Sequence, residues 1–107
     1  MIIEIATITV TEGREAEFEE AFANAQRYIA GSPHALRYQL TRCIELPSRY
    51  VLRIEWDSLE GHTEAFRGSP EYQEYRALLY PLYAMPPEVV HYNEVITSTQ
   101  AQGAGAR

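Results

Sequence analysis

Lysine is absent. All nine basic residues are arginines, set against fourteen glutamates and one aspartate, and the net charge is −6. Nucleic-acid phosphates and anionic membrane surfaces both select a cationic face, so this balance argues against either as a partner. The one cysteine, Cys43, has no mate for an intrachain disulfide and no companions for a thiolate zinc site. No base stands beside it in the sequence, so it lacks what a thiol nucleophile needs. No apolar run approaches the roughly 20 residues of a membrane span. The opening MIIEIATITV has an acid at its fourth position and no basic flank, unlike a secretory signal, and a cytoplasmic location is the expectation. A glycine-rich phosphate loop is missing too. Gly103 and Gly105 sit in a low-complexity end with no strand before them and no helix after. No flavin or nicotinamide site of that kind is expected, and the cofactor expectation is none.

What is present suits one globular domain: 107 residues, 46% hydrophobic and 22% charged. The folded unit is expected over 1–96, with 97–107 as a flexible C-terminal tail. Residues 2–10 are β-branched and end in Thr11-Glu12-Gly13, a strand and a turn. Over 14–30 the apolar set Phe18, Ala21, Phe22, Ala25 and Ile29 falls on one helix face. Alternating patterns over 36–44 and 50–56 predict two further strands around the Leu46-Pro47-Ser48 turn. Asp57, with Glu60 three residues on, reads as a helix N-terminus. Gly68 breaks that helix and Ser69-Pro70-Glu71 restarts it, with Tyr72, Tyr75, Leu78 and Leu79 as its apolar stripe and Pro81 as its end. A last strand is expected over 88–96.

The order βαββαβ predicts an α+β, ferredoxin-like fold: a four-stranded antiparallel sheet with both helices on one face. The first and last strands are apolar on both sides, so the helix-free face should be covered as well. A second copy of the chain is the simplest cover, with Ile2, Ile8, Val10, Val90 and Tyr92 expected to supply that face.

Three histidines and eight tyrosines hold the chemistry the chain can offer. His62, one turn into the helix after Trp56, is either a general base titrating near neutrality or a packing residue against the sheet. His91, mid-strand, faces either the cavity under the helices or a subunit interface. His34 reads as a solvated loop residue. The three are far apart in sequence, without ligand spacing, so no metal site is expected. Tyr72 and Tyr75 either line an aromatic pocket and bond substrate hydroxyls or reach water at an interface. For Tyr80 and Tyr83 the interface reading leads. Trp56, ending its strand, is a core residue by position, and Arg53 with Glu55 reads as a cross-strand charge pair.

The stretch WDSLEGHTEAFRGSPEYQEY (56–75) resembles the antibiotic biosynthesis monooxygenase family, with a strand-ending Trp, an early helical His, an aromatic, a Ser and a second helical segment. The opening strand, Thr11-Glu12-Gly13-Arg14 and the amphipathic helix extend the likeness over 1–96. The resemblance implies a dimeric α+β barrel of two sheets packed face to face. It also implies cofactor-independent oxidation by O2 of a small aromatic such as a phenol, quinol or anthrone-like polyketide. Under it, His62 is the first choice as base and His91 the second. Phe66, Tyr72 and Tyr75 roof the pocket, Trp56 joins the substrate-binding set, and the tyrosine hydroxyls serve as donors. Haem-degrading relatives use an Asn, a Trp and a His where this chain has Ala6, Ala65 or Phe66, and Tyr75, so haem degradation is disfavoured. A non-catalytic small-molecule binder and an isomerase or cyclase on the same scaffold are the alternatives.

Overall fold

The computed structural model describes residues 1–98. It runs β1 (Ile2–Thr9), α1 (Glu15–Ala30), β2 (Ala35–Arg42), β3 (Arg49–Trp56), a π-helical turn (Gly61–Phe66), α2 (Pro70–Leu79), a 3₁₀ turn (Tyr80–Leu82) and β4 (Glu88–Asn93). The strands pair antiparallel in the order β2-β3-β1-β4, the ferredoxin-like arrangement expected. Beyond Ser98 the expected tail lies outside the described residues.

Helix α1 lays Phe18, Phe22, Ala25 and Ile29 against the sheet, all buried, and Phe18 meets the Tyr50 ring at 4.7 Å. Its N-terminal end holds Glu15 and Glu17, where the helix dipole favours acids. Helix α2 begins as the sequence predicts. Ser69 adopts extended angles, its hydroxyl oxygen accepts from the Tyr72 amide, and Pro70 follows at the first helical position. The preceding turn differs from expectation. Ser58, not Asp57, caps it by accepting from the Gly61 amide at 3.0 Å. The Asp57 carboxylate is taken by His34 Nδ1 at 2.9 Å, so His34 is tied to a partner rather than merely solvated.

The helix-free face also needs correction. Buried Glu4, Ala6, Ile8 and Val10 form the core side of β1, and Ile2 shares their parity. Ile3 stands opposite Tyr92 and Ile5 opposite Val90, so those four share the open face. Ile8 and Val10 belong to the core and cannot serve that face. Because β1 is apolar on both sides, alternation separates the two sets without saying which one the helices cover; strand register decides it.

Two strands are shorter than expected. β2 ends at Arg42, where the Cys43 amide bonds the Arg49 carbonyl across the hairpin, leaving Ile44 exposed. β4 ends at Asn93, which pairs with Ile2; β1 offers nothing further, and Val95 and Ile96 stand in solvent. Arg53 and Glu55 do pair, but along β3, and the cross-strand partner of Glu55 is Arg37 at 3.7 Å.

Candidate functional site

Glu4 is the anomaly in the core. It sits in the buried register of β1 between Ile2 and Ala6, 5% exposed, where every neighbour of like parity is apolar. Burial raises its pKa above the usual carboxylate range, against the opposing pull of a Trp56 hydrogen bond and the Arg67 charge. Trp56 Nε1 donates to Glu4 Oε1 at 2.9 Å, so the fully buried strand-ending Trp stands behind the carboxylate.

The π-helical turn delivers the next member. A π-turn widens the helix by one residue, seen here in the Arg67 amide bonding the His62 carbonyl, and such turns often occur at functional sites. It swings His62 inward until the ring is 3% exposed and stacked on Trp56 at 4.9 Å and 18°. His62 Nε2 lies 3.3 Å from Glu4 Oε1, and His62 Nδ1 lies 2.8 Å from His91 Nε2. Burial first, then the charges of Arg67 and His91, push His62 down to about 3, so it is neutral at physiological pH. The same burial and Arg67 lower His91, which is half-buried on β4 directly opposite Glu4 in the sheet. Strand pairing therefore sets His91 beside Glu4, and the π-turn brings His62 to both. Among the described residues no group of three or more His, Cys, Asp or Glu side chains is arranged to hold a metal ion.

In front of this chain lies a cavity of about 40 Å³, floored by Glu4, Ala6 and Ile54 of the sheet and flanked by His62 and Phe66. Tyrosines close it: Tyr72, Tyr75, Tyr80 and Tyr83, with Arg67 at the edge. Phe66 meets Tyr72 and Tyr75 edge-on at 5.5 and 5.9 Å. The Tyr72 and Tyr80 hydroxyls face each other at 3.3 Å. Tyr75 is 7% exposed, yet neither its hydroxyl nor that of Tyr83 has a hydrogen-bond partner among the described residues. Burial raises the pKa values of Tyr75 and Tyr83, and that of Tyr80 to about 12, so all three stay protonated donors.

Of the residues singled out from sequence, Phe66, Tyr72, Tyr75 and His62 line one cavity. His91 reaches it through His62, and Trp56 through Glu4. Tyr80 and Tyr83, read first as interface residues, are on the wall. Glu4 and Arg67 were not anticipated. Glu4 carried a legible signal, an acid in the core parity of an otherwise apolar strand; Arg67, beside the helix-breaking Gly68, carried none.

The sequence profile described as antibiotic biosynthesis monooxygenase matches residues 1–78. An uncharacterized protein of Bacillus subtilis, YczJ, is 44% identical over 95 residues, spanning 89% of this chain and all of that protein. A crystal structure described as a candidate antibiotic biosynthesis monooxygenase from Bordetella bronchiseptica superposes with a TM-score of 0.85 at 39% identity, covering 89% of this chain and 97% of that one. SnoaB, a cofactor-independent oxygenase from Streptomyces nogalater, shares the fold with a TM-score of 0.80 at 22% identity, over 92% and 97% of the two chains.

Proposed function

The chain belongs to the antibiotic biosynthesis monooxygenase family, and from that premise we propose that it is a cofactor-independent monooxygenase of an electron-rich aromatic: a phenol, quinol or anthrone-like polyketide. Ground-state dioxygen is a triplet and reacts slowly with closed-shell molecules. A substrate that becomes electron-rich on losing a proton can reduce it without flavin or iron. Such a substrate asks three things of the protein: a dry cavity, a proton acceptor, and donors for the developing oxyanions.

The observation that carries the reading is the meeting of the Glu4–His62–His91 chain with a tyrosine-walled cavity whose Tyr75 and Tyr83 hydroxyls are uncommitted. The acceptor belongs to that chain. Tyr75 and Tyr83 donate to substrate oxygens, and Arg67, which makes no ion pair with the described residues, supplies positive charge at the mouth. The partly enclosed cavity of about 40 Å³ takes a water molecule or two. An aromatic ring therefore enters by turning out the half-buried Tyr72 and Tyr80 and the exposed Arg67. Members of this family are typically dimers, and Ile3, Ile5, Val90 and Tyr92 on the open sheet face support the same assembly here.

Chelator-treated protein mixed with 1,4-dihydroxynaphthalene or anthrone should consume O2 faster than the buffer alone and place one ¹⁸O atom from labelled O2 in the product. Stoichiometric binding of both compounds without O2 uptake would favour a non-catalytic binding protein instead.

A further inference from the structure

We infer that the substrate proton is taken by Glu4 Oε2, with His62 as the positioning residue that holds this carboxylate and links it through His91 to solvent. The inference deepens the monooxygenase reading and rests on it. It moves the accepting role from His62, where the sequence places it, to an acid on β1.

The geometry separates the two candidates. His62 Nδ1 is bonded to His91 at 2.8 Å, and its Nε2 stands 3.3 Å from Glu4 Oε1, an ion-pair distance without hydrogen-bond geometry, so the carboxylate lies next to the one nitrogen His62 has left. Glu4 uses only one oxygen. Oε1 meets Trp56 Nε1 and His62 Nε2, while Oε2 has no hydrogen bond among the described residues, and Glu4 lines the cavity. Because no fully buried side-chain oxygen among the described residues lacks a partner, Oε2 touches accessible space, and an unpaired carboxylate oxygen on a residue that lines the pocket is poised to receive a proton.

The contacts also define two self-consistent proton arrangements. With Glu4 ionised, His62 holds its proton on Nε2, the nitrogen nearer Oε1, and His91 Nε2–H donates to His62 Nδ1. With Glu4 protonated on Oε1, both histidines hold their proton on Nδ1 instead. The two states differ by one proton, which enters or leaves at His91 Nδ1, an atom with no hydrogen-bond partner among the described residues. The relay thus sets the charge of Glu4 before substrate arrives.

In the reaction the substrate O–H bond breaks, its electron pair stays on the phenolate oxygen, and an O–H bond forms at Oε2. The phenolate passes one electron to O2 and the two radicals join in a carbon–oxygen bond. The O–O bond then breaks: one oxygen remains as a carbonyl, and the other leaves as water. That water carries the proton Glu4 returns and the hydrogen lost from the oxidised carbon. All four electrons come from the substrate, so no further reductant is needed.

The test compares Glu4→Gln, Glu4→Asp, His62→Gln and His91→Gln in O2 uptake with 1,4-dihydroxynaphthalene across pH, alongside the fluorescence of Trp56, the single tryptophan. The groups facing Glu4 are His62 and Arg67 from the π-turn region, His91 from β4, and Tyr75 and Tyr83 from the helical side. Glu4→Gln keeps the shape and the acceptor for Trp56. It should lower kcat about 10²- to 10⁴-fold, the usual cost of losing a general base. It should also abolish the acid limb of the kcat/KM profile and the acid-side Trp56 titration. Glu4→Asp should restore part of the rate with the limb. His62→Gln should slow turnover yet keep an acid limb, and His91→Gln, which removes the exit of the relay, should slow turnover less than Glu4→Gln while keeping the limb. Wild-type turnover left unchanged by Glu4→Gln, or an acid limb lost only in His62→Gln, would overturn the role of Glu4 alone. No O2 uptake by the wild type would overturn the monooxygenase reading beneath it.

Discussion

Glu4 and His62 answer acid in opposite directions. His62 is depressed to about 3, so between that value and its ordinary 6.5 the unfolded chain binds a proton the folded one refuses. Its contribution is complete above about pH 6.5 and is lost as the pH falls, by up to about 1.4 kcal/mol per pH unit. Glu4 is raised above 4.5, so the folded state holds its proton longer, and its contribution is complete at low pH and is lost as the pH rises through the folded value. Between pH 6.5 and 4.5 His62 and His91, both lowered, make the protein weaker toward acid, whereas Glu4 does not. His62→Gln should therefore flatten the fall of Tm across that window, whatever it does to Tm at pH 7. A wild-type slope retained in the variant would mean that the pKa of His62 is not lowered in the folded protein.

At the scale of elements, the π-turn is what makes the site, and its packing gives a direct test. A Cβ on Gly61 would lie 2.8 Å from both His34 Cβ and Asp57 Oδ1, so Gly61→Ala must push the turn away from the start of β2. Overpacking of this kind costs about 1–3 kcal/mol, and the displaced turn should also unstack His62 from Trp56. Ser69→Ala, which loses only the α2 cap, should cost about 1 kcal/mol and leave Trp56 fluorescence unchanged. Equal fluorescence in both variants would show that the turn does not control His62. These two elements also mark how far the sequence could be read. The cap at Ser69 is a local hydrogen bond with a local signature, and it was legible. The π-turn depends on Gly61 passing close to His34, a contact between positions 27 residues apart, and nothing local announces it. Likewise Tyr72 and Tyr75 were grouped by helical spacing and Phe66 joined them through the family resemblance, whereas the junction of His62, Glu4 and His91 needed the register of β1 against β4.

For the whole molecule, the question is which side of the sheet the proposed dimer would use. Alternation gave two apolar sets on β1 and no means to rank them, and the core has claimed Ile8 and Val10 at 1% exposure each. The open face keeps Ile3 and Ile5 in the middle of the sheet beside Val90 and Tyr92, which are 43% and 54% exposed at its edge. Toward β2 that face turns polar, with Arg53, Glu55 and Gln39. An apolar patch with a polar border is the anatomy of a stable interface rather than of a free surface. The dimer should therefore persist at micromolar concentration in sedimentation. Ile5→Glu combined with Val90→Glu would bury facing carboxylates at its centre and should yield folded monomers, because neither side chain touches the helices. Ile8→Glu, by contrast, places a charge under α1 and should abolish folding altogether. Undiminished dimer in the Ile5→Glu/Val90→Glu variant would mean that the open face is not where the copies meet. If a folded monomer results, its O2 uptake then shows whether the cavity, built within one chain, works without the partner.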